Sequence, residues 1–193
     1  MNRYESLEGR IDAVVIGASA GGIEALTQLL PQLPASSKLT VLVVLHVPRD
    51  RPSLLVDIFR PRCRLHVAES QDKDPIQPGT VYFAPPDYHL MVDIGPQIAL
   101  SADELVNFSR PSIDVLFESA ADLYQRRVLG IVLSGGNHDG AAGLQAIVRA
   151  GGLAVVQSPD QAAVDIMPRA AIAAGSVDYV LPLDQIAELL AAL

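Results

Sequence analysis

A serine, Ser19, lies in the run Gly17-Ala18-Ser19-Ala20-Gly21, between an apolar stretch and the start of a helical pattern. The run fits G-x-S-x-G, in which small neighbours let a strand turn sharply into a helix and expose the serine hydroxyl. The helix that follows would offer unpaired N–H groups to a developing oxyanion. Two other readings fit the same residues. Ser19 could be a helix N-cap. The glycines could form a phosphate-binding turn, although Ser19 stands where G-x-G-x-x-G requires its second glycine.

A serine nucleophile needs a base and an orienting acid. Four histidines are present: His46, His66, His89 and His138. His46 ends the very apolar segment LTVLVVLH (residues 39–46). If that segment is a strand, His46 leaves the sheet on the same edge as Ser19. His66 falls in the strand-like RLHVA, and His89 in a Pro- and Gly-rich middle region. His138 directly precedes Asp139 in SGGNHDGAAG. Asp139 opens a helix after a strand, and on local grounds it reads as an N-cap before it reads as the acid. Ser, His and Asp on three loops at one sheet edge could form a triad, which is recognised by geometry rather than by spacing. The order Ser19, His46, Asp139 differs from the Ser, Asp/Glu, His order of α/β-hydrolases.

The elements that must position these residues follow from periodicity. IDAVVIG (11–17) and LTVLVVLH are continuous apolar runs, the pattern of buried strands. Between them Ile23, Leu26, Leu29 and Leu30 recur at helical spacing. SLLVDIF, just after Pro52, suggests a further helix. The segment from DKDPIQ to QIALS carries the strand-like pieces TVYFA, HLMVDI and QIALS, with IGPQ as a turn. It reads as an antiparallel appendage. Alternation then resumes: PSIDVLFESAADLY helical, VLGIVLS a strand, DGAAGLQAIVRAGG helical, LAVVQ a strand, PRAAIAAG helical, DYVLP a strand and LDQIAELLAAL helical. Strand–helix alternation implies parallel strands covered on both faces. The expected fold is α/β: one doubly wound, mainly parallel sheet flanked by helices, with a small antiparallel hairpin appendage. Ligands of such sheets bind at the carboxyl ends of the strands.

Composition bounds the function. The chain has 193 residues, half of them hydrophobic, and a formal net charge of -8. That charge argues against a general nucleic-acid binder, which needs clustered Lys and Arg. RPRCR (60–64) is the best candidate for a local basic patch. A lone cysteine, Cys63, leaves no internal disulfide and no cysteine-based metal site, and is read as packing rather than as a nucleophile. The first residues lack an apolar signal core, and no apolar run reaches the roughly 20 residues of a bilayer span. A cytoplasmic protein without membrane insertion is expected.

Six segments, IGASAGGIEAL, VVLHVPRD, VYFAPPDYHL, RPSIDVLFESAA, VLSGGNHDGAAGL and MPRAAI, occur in order. Together they resemble the catalytic domain of the chemotaxis protein-glutamate methylesterases, the CheB family, over nearly the whole chain. The resemblance implies residues 1–193 as one α/β esterase domain with a triad of Ser19, His46 and Asp139. It also implies hydrolysis of glutamate methyl esters on the cytoplasmic helices of chemoreceptors, release of methanol, glutamine deamidation in many members, and no metal or organic cofactor. Backbone N–H groups near Ala20 and Gly136 are the expected oxyanion donors, and Arg110 is an expected substrate contact. Three positions depart from the family pattern: Ala20 replaces a threonine, Gly136 a methionine and Ser109 a histidine. About ten residues precede the first strand, so a stand-alone or excised domain without the family's receiver domain is expected. The alternatives are a non-enzymatic module binding a nucleotide or partner on the same loops, and an esterase with a non-receptor substrate.

Overall fold

Continuous apolar runs become the interior strands. The structure, a computed structural model, describes residues 4, 7, 9–175 and 177–193. Seven strands form one sheet: β1 (Ala13–Ala18), β2 (Thr40–Leu45), β3 (His66–Glu69), β4 (Thr80–Phe83), β7 (Val128–Val132), β8 (Leu153–Gln157) and β9 (Tyr179–Leu181). Their order is β3-β4-β2-β1-β7-β8-β9, and every pairing is parallel. β5 (His89–Asp93) and β6 (Gln97–Ser101) pair antiparallel as a separate hairpin. β1 and β2 are buried at every position, because a parallel sheet is covered on both faces.

Alternate residues of these strands feed two cores. Val14, Ile16, Val41 and Val43 pack with α1 (Gly22–Leu29), α2 (Leu55–Phe59) and α6 (Leu183–Ala191). Ala13, Val15, Leu42 and Val44 pack with α3 (Ile113–Tyr124), α4 (Ala141–Arg149), α5 (Ile166–Ala173) and the hairpin. The doubly wound fold expected from the sequence is therefore the observed one. One expectation is corrected. TVYFA does not belong to the antiparallel appendage: β4 lies inside the main sheet between β3 and β2. All four of its residues are buried, as a parallel interior strand requires, and only the flanking Pro and Gly residues give it the look of an appendage.

The chain runs from β1 to β2, out to the edge at β3 and back to β4 between them on one side, then crosses to β7, β8 and β9 on the other. The direction of winding reverses between β1 and β7. A crevice opens at such a switch point, at the carboxyl ends of the strands. Ser19 follows β1, His46 follows β2, and the segment from Ser134 to Gly140 follows β7. Among the described residues no helix is long and apolar enough to cross a membrane.

Candidate active site

Ser19 is placed by backbone bonds. Its N–H donates to the carbonyl of Ser134 at 2.9 Å, and its own carbonyl accepts from Gly22 N–H at 2.8 Å. The Ser134 hydroxyl donates to the Ala20 carbonyl at 2.6 Å, so the segment that follows β7 grips the turn from the side. The two glycines that follow allow close packing. A Cβ on Gly21, which has φ +80°, would lie 2.6 Å from Ala163 Cβ and 2.9 Å from Ser134 Oγ. A Cβ on Gly22 would lie 2.5 Å from Leu45 and 2.7 Å from Ala18. These glycines are needed by neighbouring protein atoms, whether or not a ligand approaches them.

His46 is the next position of the parallel ladder from Ser19's own strand. Ala18 pairs with Leu45, and His46 N–H donates to the Ala18 carbonyl at 3.1 Å. Its ring Nε2 lies 2.9 Å from Asp139 Oδ2. Because Asp139 is an ionised acceptor, Nε2 must carry the proton, and the lone pair falls on Nδ1. The Ser19 hydroxyl makes no hydrogen bond among the described residues. The structure thus joins His46 to Asp139 and sets Ser19 and His46 each one residue beyond the last rung of the ladder, Ala18 with Leu45, without closing a Ser–His bond.

Asp139 is 1% exposed and accepts four further bonds. Oδ1 accepts from Ser112 Oγ (2.7 Å), Asn107 Nδ2 (2.9 Å) and Asp114 N–H (3.1 Å), while Oδ2 accepts from Ile113 N–H (2.6 Å). Ile113 and Asp114 open α3, so Asp139 caps that helix rather than its own. The N-terminus of α4 is served in return by Asp114, whose Oδ1 accepts from Gly140 N–H (3.0 Å) and Gly143 N–H (2.6 Å). The two carboxylates cap each other's helices, and Asn107 Nδ2 bridges them, reaching Asp114 Oδ2 at 2.7 Å. Each helix N-terminus favours the negative charge placed there.

Burial alone would raise the pKa of Asp139, but the bonds from His46, Ile113, Asn107 and Ser112 outweigh it and hold the group below its usual value. Asp114 goes the other way: burial dominates, and the Asp139 charge adds to it, so its pKa is raised. For Asp139 the unfolded chain binds the proton more readily than the folded one. Its stabilising contribution is complete above the unfolded value of about 3.9 and is lost as pH falls through the lower folded value. Asp114 opposes this in part. The variant Asp139→Asn should therefore flatten the fall in thermal midpoint between about pH 5 and pH 2 relative to the wild type. A melting series across that range checks it, and an unchanged slope would contradict the shift.

The expected oxyanion donors are open. Among the described residues neither Ala20 N–H nor Gly136 N–H has a hydrogen-bond acceptor, and both residues are exposed. A Cβ on Gly136 would meet only Val164, at 3.9 Å, so the backbone there leaves room for a β-carbon. Gly135 has no such room: a Cβ there would fall 1.9 Å from Met167 Sδ.

Arg110 is largely committed to the fold. Its Nε and Nη2 donate to Asp87 Oδ1 at 3.1 and 2.8 Å, and Nη1 donates to the carbonyls of Ala102 and Asp103 at 2.6 and 2.8 Å. It walls a cavity of about 160 Å³ that also touches His46, Arg49, Phe108 and Ser109. A larger cleft of about 470 Å³, lined among others by Asp12, Lys38 and Arg127, lies at the opposite, amino ends of the strands and holds none of these residues.

The remaining candidates have structural places. His89 is 2% exposed; its Nδ1 accepts from Ser112 N–H at 3.1 Å and its Nε2 donates to the Glu104 carbonyl at 2.9 Å. His66 opens β3, the edge strand. His138 is exposed and lines a separate open groove with Ile166 and Arg169. Burial pushes the Cys63 thiol up to about 11, which keeps it protonated at neutral pH. In RPRCR, Arg60 and Arg62 donate to the carbonyls of Val67 and Ile58. Among the described residues no group of three His, Cys, Asp or Glu side chains could hold a metal ion. Sequence reasoning missed Asn107, Ser112 and Asp114, which build the surroundings of Asp139, and Arg49 and Phe108 on the cavity rim.

Such a fold, with His46 bonded to Asp139 at the switch point and Ser19 leaving the adjoining strand, defines an α/β protein whose polar residues gather at the carboxyl edge of the sheet. Residues 14–190 match the profile of the CheB methylesterase family. A Leptospira interrogans protein with the provisional name protein-glutamate methylesterase/protein-glutamine glutaminase is 47% identical over 92% of each chain. Protein-glutamate methylesterase/protein-glutamine glutaminase 2 of Caulobacter vibrioides is 40% identical over 92% of this chain and 52% of its own length. The CheB methylesterase catalytic domain of Thermotoga maritima superposes with a TM-score of 0.89 at 32% identity, covering 94% of this chain and 97% of that one. The chain belongs to the CheB methylesterase family.

Proposed function

We propose that the protein hydrolyses γ-methyl esters of glutamate side chains on chemoreceptor proteins, with Ser19, His46 and Asp139 as its triad and residues 1–193 acting as one catalytic domain. The observation that carries the triad is the 2.9 Å contact of His46 Nε2 with buried Asp139, with His46 and Ser19 each following the last paired residue of its strand. The cytoplasmic helices of the receptors are the substrate surface, which sets the place of action in the cytoplasm.

The chemistry follows from the geometry. Asp139 holds the imidazole in the Nε2–H tautomer, which leaves Nδ1 as the base. Nδ1 takes the Ser19 proton as Oγ attacks the ester carbonyl. The tetrahedral oxyanion is received by the N–H groups of Ala20 and Gly136. Collapse breaks the C–O bond to the methoxy group, Nδ1 returns its proton, and methanol leaves. Water, deprotonated by the same nitrogen, then splits the glutamyl-serine ester, giving glutamate and free Ser19. A glutamine amide would follow the same course with ammonia as leaving group. No step calls for a metal or organic cofactor.

The test is methanol release from a peptide bearing one glutamate γ-methyl ester, run beside a nucleotide-binding titration. Methanol release without nucleotide binding is expected. Tight nucleotide binding with no ester turnover would replace this reading with that of a binding module.

A further inference from the structure

Phe108 is 96% exposed, more than any other large apolar side chain among the described residues. It sits at the tip of a two-residue hairpin. Val106 N–H donates to the Ser109 carbonyl at 3.1 Å, and Ser109 N–H returns a bond to the Val106 carbonyl at 2.9 Å. Both central residues are left-handed, Asn107 at φ +51° and Phe108 at φ +62°. That is the signature of a type I′ turn, for which Asn-Gly is the favoured pair. Asn107 fits this preference. Phe108 does not, because a bulky side chain at positive φ is disfavoured sterically. The turn is also anchored, since Asn107 Nδ2 holds both Asp139 and Asp114. The fold thus fixes a solvent-exposed phenylalanine, where glycine would be easier, on the rim of the cavity that touches His46. Residues kept in disfavoured conformations cluster at functional sites.

Arg49 stands on the same rim. Its side chain is 47% exposed, and it reaches Asp87 Oδ1 only at 3.4 Å. Arg110 already holds that oxygen at 2.8 and 3.1 Å, so Arg49 supplies a weak third donor that can turn to a ligand. The cavity itself, at about 160 Å³, accommodates a single side chain and falls below the roughly 300 Å³ at which whole small-molecule sites begin. Selection beyond the reacting side chain must come from the rim. A protruding ring needs a partner with an apolar stripe, and the loosely paired, half-exposed Arg49 guanidinium needs a carboxylate close beside it, because a chain of net charge -8 gives an acidic partner no long-range attraction.

We propose that Phe108 and Arg49 grip an acidic amphipathic helix that presents the esterified glutamate, Phe108 packing on its apolar stripe and Arg49 pairing with a carboxylate about one turn away. On a helix such residues lie three or four apart and share adjoining faces. This inference rests on the esterase reading above and names the rim residues by which the same site would hold its substrate.

Three substrates test it: a synthetic amphipathic helix with one glutamate γ-methyl ester among free glutamates, the same composition scrambled, and p-nitrophenyl acetate. For Phe108→Gly the ratio of kcat/KM on the helix to kcat/KM on p-nitrophenyl acetate should fall about tenfold or more, through KM. Its thermal midpoint should equal or exceed that of the wild type, because glycine suits the turn. Phe108→Leu should keep most of the ratio. Arg49→Gln should raise KM for the helix and weaken its salt dependence. An unchanged ratio in Phe108→Gly, or equal use of helix and scrambled peptide by the wild type, would overturn the grip. If the wild type splits none of the three esters, it is the esterase reading that fails.

Discussion

Ser19→Ala is expected to lower kcat on a glutamate methyl ester by about 10⁴- to 10⁶-fold, the range seen when a triad member is removed. At about 1.36 kcal/mol per tenfold, that is roughly 5–8 kcal/mol of transition-state stabilisation. The fold should survive. The bonds that shape the turn belong to the Ser19 backbone, through Ser134 and Gly22, and its hydroxyl makes none among the described residues. Stability should therefore change by less than about 1 kcal/mol, within the range of substitutions that remove no buried contact. The same variant separates the two readings of GASAGG. A phosphate cradle works through backbone N–H groups and would be nearly indifferent to the loss of one hydroxyl. The glycines already weigh against a cradle, since Gly21 and Gly22 are occupied in clearing Ser134, Ala163, Leu45 and Ala18. Measurement of kcat together with urea denaturation decides it. Turnover within tenfold of the wild type would remove Ser19 from the chemistry.

Much of this site is legible in the order of residues along the chain, for a specific reason. Ser19, His46 and Asp139 each leave an apolar strand, and parallel strands all end on one edge. Strand runs thus carry positional information that spacing along the chain does not. The same rule fails at β4, because Pro and Gly around TVYF suggest an appendage while the four residues themselves carry the interior pattern. What surrounds Asp139 is not legible in this way. Ser112, Ile113 and Asp114 lie 25–27 positions away in sequence, and Asn107 lies 32 away. Asp139 opening a helix points to a cap, and it is one, but for α3. The exchange with Asp114 arises only where α3 and α4 pack side by side. Phe108 leaves a faint trace in the sequence: Asn-Phe occupies a turn where Asn-Gly would be expected, but nothing local marks those four residues as a hairpin.

The largest remaining expectation concerns which histidine works. His46→Ala should reduce turnover about as much as Ser19→Ala, because residues that act as a unit fail together. His138→Ala should leave kcat within about threefold, as for surface positions outside the reacting set. The two differ in what they face. His46 gives Nε2 to a carboxylate that is 1% exposed, and that carboxylate is held by four other donors, so the ring is fixed and its tautomer set. His138 is next to Asp139 in sequence, yet successive side chains on a chain turning into a helix diverge. Its ring lines the groove of Ile166 and Arg169 and makes no hydrogen bond among the described residues. With no acid to hold it, His138 would have to order itself in each turnover, which forfeits the gain of a prepositioned base. Steady-state kinetics of both variants on the same ester, with circular dichroism to confirm folding, gives the ranking. If His138→Ala is the dead enzyme and His46→Ala the live one, the 2.9 Å contact serves to cap and brace the sheet edge, and the base lies on the α4 side of the crevice.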